Sequence, residues 1–264
     1  MLVRLDKFLV EMNIGSRSEV KQLLKRNTVQ VNGAIIKKPE TPIDIEKDII
    51  TFQNQTLQYE KYVYYMLHKP LGVVSATEDN LDKTVVSLLE AENRNNLFPV
   101  GRLDKDTEGL LILTNDGAFA HNMLSPKKHV AKTYFVILDK PITKEEIQSF
   151  QEGLDIKDEK KTLPAILREA TNLEITTELL SASFKTDTGS RSENVDFTHA
   201  AYITITEGRF HQVKRMFATF HQTVLYLKRV SMGNLYLDNN LQPGQYKKLT
   251  LDELKKCGNG KESI

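Results

Sequence analysis

From Tyr62 onward the chain is a succession of short apolar runs, many separated only by a turn. Runs of this length, bounded by Gly, Asn, Asp or Pro, read as strands. They are expected at 62–67, 73–76, 110–113, 132–138, 165–169, 173–177, 201–206 and 224–230. Helical spacing is expected at 84–89, 118–124, 143–151, 211–220 and 251–256, with capping boxes at Thr143/Glu146 and Thr250/Glu253. Strands outnumber helices and follow one another directly. That pattern predicts an α+β fold with a large mixed, mainly antiparallel sheet flanked by helices and loops. Residues 185–198 are polar and almost without apolar side chains, so they read as a mobile surface insertion, and 258–264 as a flexible tail.

The first 58 residues have a different texture. Leu5, Phe8, Leu9 and Met12 recur at helical spacing. Ser16 and Glu19 form a capping box that opens a second helix, with Val20, Leu23 and Leu24 inward and Arg17, Lys21 and Lys25 outward. Val29 and Val31 alternate with polar neighbours before Asn32-Gly33, a tight-hairpin signal. A short strand near 49–52 and a polar stretch, 53–60, place a domain boundary near residue 58. Arg4-Leu5-Asp6-Lys7-Phe8-Leu9, Ser16-Arg17-Ser18 and Val29-Gln30-Val31-Asn32-Gly33 resemble the small RNA-binding module named after ribosomal protein S-four. The resemblance implies that residues 1–58 bind folded RNA through the basic helix face and the hairpin.

Charge supports a polyanionic partner. The net charge is only +1, yet residues 1–38 hold eight basic side chains (Arg4, Lys7, Arg17, Lys21, Lys25, Arg26, Lys37, Lys38) against three acidic ones. From 208 to 237 there are five basic residues, Arg209, Lys214, Arg215, Lys228 and Arg229, and no acidic one. Two such patches on a balanced chain suit nucleic acid. No apolar run approaches the length needed to cross a bilayer, and the single cysteine, Cys257, allows no intrachain disulfide and no thiolate metal cage. A reducing, cytoplasmic setting without membrane attachment is expected.

The densest chemistry lies in Gly101-Arg102-Leu103-Asp104-Lys105-Asp106-Thr107-Glu108-Gly109, a charged, glycine-bounded loop before the apolar run 110–113. An aspartate kept ionised by nearby cations can act as a nucleophile or a base, and loops at strand ends are where such groups sit. Asp104-Lys105-Asp106 also fits, loosely, a two-aspartate metal pattern, which would allow metal-dependent hydrolysis. The six histidines show no close ligand pairing to complete a metal shell, and there is no serine nucleophile elbow or phosphate-binding glycine loop. Tyr134 opens a strand and offers both a stacking face and a hydroxyl. In Glu207-Gly208-Arg209-Phe210-His211-Gln212-Val213-Lys214-Arg215-Met216 a strand gives way to a helix whose first turn offers donors to an anion, with His211, Lys214 and Arg215 to one side. Leu67-His68-Lys69-Pro70-Leu71-Gly72-Val73 joins two strands through proline and glycine and reads as a structural connection.

Together these stretches, with Ser125-Pro126-Lys127-Lys128-His129, the run 225–233 and Pro243-Gly244-Gln245-Tyr246, resemble the pseudouridine synthases, specifically the group acting on a uridine of small-subunit (16S) ribosomal RNA. Such enzymes break the bond between C1′ of the ribose and N1 of uracil, turn the base and rejoin it through C5, without cofactor or metal. The resemblance implies a catalytic domain at 59–257. Asp104 would be the essential carboxylate, acting on C1′ or removing a proton from C2′. Tyr134 would pack on the uracil and assist proton loss from C5, Lys214 would pair with the carboxylate, and Arg102 would displace or hold the nucleotide. Arg4, Lys7, Arg17, Lys21, Lys25, Arg26, Arg209, His211, Gln212, Arg215, Lys228 and Arg229 are the expected RNA contacts. A monomer acting on rRNA, free or within a small-subunit assembly intermediate, is expected. The alternatives are a large-subunit target and a non-catalytic RNA-binding assembly protein.

Overall fold

The computed structural model describes residues 1–12, 14–57, 60–90, 96–180, 182 and 199–257. The expected insertion at 185–198 and tail at 258–264 lie outside them. The chain divides into two compact units, one built on residues 1–62 and the other beginning at Val63.

In the first unit, β1 (Leu2–Arg4) leads into α1 (Leu5–Glu11) and α2 (Arg17–Lys25). The Ser16/Glu19 capping box is formed, each side chain meeting the other residue's backbone N–H. β2 (Val29–Val31) and β3 (Ala34–Ile35) make a two-residue hairpin, and its turn residues Asn32 and Gly33 have φ of 51° and 81°. Both values are positive, as a right-handed-twist hairpin turn requires. β4 (Pro42–Asp44) pairs with β1, while β5 (Ile50–Phe52) and β6 (Gln55–Leu57) extend the β2–β3 sheet. Leu5, Phe8, Leu9, Val20, Leu24 and Val29 form a fully buried core. That burial orients Arg4, Lys7, Arg17, Lys21, Lys25 and Arg26 outward, and all six are exposed.

The second unit is a nine-stranded mixed sheet. Its path runs β11 (Ile166–Glu169), β12 (Ala200–Ile205), β10 (Lys132–Leu138), β13 (Val224–Met232), β9 (Glu108–Thr114), β7 (Tyr64–Lys69), β15 (Tyr246–Lys248). Two short strands, β8 (Phe98–Pro99) on β9 and β14 (Leu235–Tyr236) on β13, complete it. The β9–β13 pairing is parallel, and the other pairings are antiparallel. β9 is buried along its whole length, which explains why it reads as a continuous apolar run rather than an alternating one. Helices cover both faces. α4 (Lys144–Glu152) and α6 (Gln212–Ala218) bring Phe150, Val213, Met216 and Phe217 onto one. On the other, α3 (Gly117–Leu124) and α7 (Leu251–Cys257) cover Leu110 and Ile112, and α5 (Asn172–Leu180) covers Phe135 and Tyr202.

Three expected elements take other forms. Residues 173–177 lie inside helix α5 rather than in a strand. Thr171 and Glu174 cap its start reciprocally, and the Thr176 and Thr177 hydroxyls bond back to the carbonyls of Asn172 and Leu173, so the β-branched run is carried by a helix. Residues 73–76 contribute one isolated bridge, Val74 to Thr84, because the chain there is tied to the loop around Leu103. The 84–89 helix shrinks to a single 3-10 turn, Val86–Leu88.

Candidate active site

On the face covered by α4 and α6, the sheet floor opens into a groove of about 600 Å³. It is bounded by the 101–107 loop, by Leu124 and Pro126 after α3, and by the turn from β12 into α6. Asp104 stands on this groove with about a third of its side chain exposed. The loop that carries it is braced from several directions. The Ser75 hydroxyl donates to Leu103 O at 2.8 Å and accepts from Leu103 N–H at 3.0 Å. Gly72 N–H donates to Lys105 O, and Thr107 N–H closes a turn on Asp104 O. Beneath it the fully buried Lys69 donates to Thr107 O at 2.9 Å and Pro70 O at 3.1 Å. Burial pushes the Lys69 ammonium down to about 8, against the pull of Asp104, Asp106 and Glu108.

Two nitrogen-bearing side chains from the other wall approach Asp104. His211 Nε2 lies 3.6 Å from Oδ1, and Lys214 Nζ lies 4.0 Å from Oδ2. Lys214 is closer to Asp106, at 2.5 Å, so it is shared between two carboxylates. Although desolvation works the other way, the Lys214 hydrogen bond and charge hold the Asp106 carboxyl below its usual range. His211 takes φ of +47°, in the left-handed region where non-glycine residues are uncommon, and its ring stacks on the exposed Phe210 at 3.8 Å between centroids. Tyr134 and Lys132 line the groove from β10, and Arg229 lines it from β13. Arg102 is exposed at its mouth. The four residues expected in catalysis, Arg102, Asp104, Tyr134 and Lys214, therefore share one groove although they span 112 positions of sequence.

Several expected RNA contacts are placed otherwise. Arg209 and Arg215, each about a quarter exposed, reach the 156–161 segment: Arg209 bonds the carbonyls of Lys160 and Lys161, and Arg215 bonds Ile156 O and the Asp158 carboxylate. Both guanidiniums are thus engaged in bracing the groove wall, and Arg215 diverges from His211 and Lys214. Gln212 is buried; its carbonyl oxygen accepts from Arg209 N–H and its amide donates to Glu207. That turn consumes backbone donors which the sequence offered to an anion. Lys228 and Arg229 are each 2% exposed and, as neighbours on a strand, face opposite sides of the sheet. Lys228 is paired with Glu178 at 2.9 Å, remote in role from any surface contact. Sequence reasoning took the stretch holding Lys69 and Gly72 as a structural connection, but missed Ser75 and the partners that these braces hold. A lysine ending an otherwise apolar strand was the available signal.

Residues 63–219 match the RNA pseudouridylate synthase family, and residues 3–50 match the S4 domain. The chain is 43% identical over 96% of its length to a Bacillus subtilis protein named uncharacterized RNA pseudouridine synthase YtzG, covering 97% of it. It is 34% identical over 96% of its length to the Escherichia coli ribosomal small subunit pseudouridine synthase A, covering 98% of that protein. A crystal structure of a pseudouridylate synthase superposes with a TM-score of 0.62 at 33% identity, over 97% of this chain and 99% of that one. With an S4 module ahead of a groove that gathers Asp104, Tyr134 and Lys214, the chain belongs to the RNA pseudouridylate synthase family and is an isomerase.

Proposed function

We propose that this enzyme converts a uridine of small-subunit (16S) ribosomal RNA to pseudouridine, with Asp104 as the reacting carboxylate. The observation that carries the reading is Asp104 itself, partly exposed in a groove of about 600 Å³ between His211 and Lys214. A groove of that size accepts one extruded nucleotide and little more. The ionised carboxylate is the form that attacks C1′ or takes the C2′ proton. Tyr134, 8% exposed on the floor, supplies a flat face for the uracil and a hydroxyl for proton transfer at C5. Arg102 at the mouth holds the backbone or fills the space that the base leaves.

Extruding a stacked base costs a few kcal/mol. Phosphate contacts from the exposed cations of α1 and α2 offset that cost and make binding fall with salt. The small-subunit target rests on the full-length likeness to the Escherichia coli enzyme of that name. Pseudouridine mapping of both ribosomal RNAs from a strain lacking the gene tests it. One small-subunit site should be lost and restored by the wild-type gene; loss confined to the large subunit would overturn the assignment.

A further inference from the structure

Arg229 is the most completely buried large side chain of the groove floor, and its charge is uncompensated. Its Nε–H donates to Leu110 O at 2.8 Å, but Nη2 has no hydrogen-bond partner. Among the described residues no carboxylate forms an ion pair with it. A buried guanidinium in that state is costly unless an anion or a strong acceptor arrives. The floor around it adds positive charge rather than relieving it. Lys132, also buried, donates to Val130 O and lines the same groove. The backbone fixes Arg229 in place: it pairs with Tyr134 on β10 and with Gly109 on β9. A Cβ at Gly109 would stand 2.3 Å from Arg229 O, so the strands approach this closely only over glycine. Tyr134 and Arg229 are therefore cross-strand neighbours on the face that forms the floor.

We infer that Arg229 is a further catalytic residue, whose free guanidinium nitrogen donates a hydrogen bond to a carbonyl oxygen of the extruded uracil. The inference rests on the reading of Asp104 given above. When the C1′–N1 bond breaks, its electron pair leaves with the base. Asp104 meanwhile either bonds to C1′ or takes the C2′ proton as a C1′–C2′ double bond forms. On both routes the base departs as an anion with its charge spread onto O2 and O4. Attack of C5 on C1′ consumes that anion as Asp104 leaves C1′ or returns its proton to C2′; C5 then loses its proton and N1 gains one. A fixed donor in a desolvated floor stabilises it without reorganising. A phosphate, tied to the RNA backbone, stays nearer the mouth with Arg102, whereas the base reaches the depth at which Tyr134 and Arg229 lie.

The test uses an RNA fragment carrying the uridine mapped for the wild-type enzyme, with oxygen, 2-thio or 4-thio at that one base. Single-turnover rates and RNA affinity are measured for wild type, Arg229→Gln, Arg229→Met and Asp104→Asn. Arg229→Gln is expected to slow the chemical step about 100-fold, the scale of losing one such donor, with affinity unchanged within about threefold. Sulfur accepts hydrogen bonds poorly, so one thio substitution should slow wild type about tenfold and leave Arg229→Gln unaffected. Should that variant fail to fold, the same comparison between wild type and Arg229→Met, which has no donor, decides. Equal thio effects in wild type and variant, or weakened affinity with an unchanged rate (the mark of a phosphate contact), would overturn the inference. Active Asp104→Asn would instead overturn the reading beneath it.

Discussion

The groove depends on individual residues whose cost to the fold is offset by what they hold. Ser75 binds Leu103 through both its donor and its acceptor, one residue before the proposed reacting carboxylate. Ser75→Ala removes both bonds and leaves the Leu103 backbone groups underpaired, a loss of about 1–3 kcal/mol. Thermal unfolding should show that loss, and the turnover number should fall about tenfold while RNA affinity holds. Lys132 gives a pH signature. Burial, and then the Arg229 charge, lower its ammonium to about 8 from an ordinary 10.5. Below pH 8 both folded and unfolded chains carry the proton, so the destabilisation is fully present. Between about 8 and 10.5 only the unfolded chain carries it, so stability contributed by this site rises with pH. Chemical denaturation across that range should therefore give a flatter curve for Lys132→Met than for wild type. An equal slope in the two proteins would place the Lys132 proton elsewhere.

At the level of elements, the strand that follows the Asp104 loop and the one that carries Tyr134 were readable because burial on both faces writes a continuous apolar run into β9 and most of β10. Capping boxes marked α2 and α4 for the same local reason: each is a reciprocal pair three residues apart. α5 was misread because Ile175, Thr176 and Thr177 favour strands by propensity, while Thr171 and Glu174 decide the matter by capping. The Lys228-Arg229 pair shows the limit of counting charge along a chain. The strand period of two sends these neighbours to opposite faces, one to Glu178 and one to the groove. The partners of Lys69 and Ser75 were illegible because they lie 38 and 28 positions away. Gly109 tests the element level directly. At φ of 111° and against the Arg229 backbone, Gly109→Ala should destabilise the protein by more than about 3 kcal/mol, seen as a lowered Tm.

At the level of the whole molecule, the proposed function has the S4 module hold RNA and the synthase unit react with it. The exposed faces of α1 and α2 carry four of the cations expected to touch phosphate, with Arg4 just before α1 and Arg26 just after α2. Replacing Arg17, Lys21 and Lys25 by Ala should lower rRNA affinity at least tenfold at low salt. It should also make the slope of log affinity against log salt shallower by about two to three, because each of these cations that meets a phosphate releases roughly one counterion. Single-turnover chemistry on saturating RNA should be unchanged, because none of these side chains lines the groove. The decisive measurement concerns Asp104. Tritium release from RNA labelled at C5 of uridine reports each completed isomerisation. Asp104→Asn, which keeps the size of the side chain and removes its charge, should bind RNA as wild type does and release no tritium above background. Release at a rate near wild type would contradict the account.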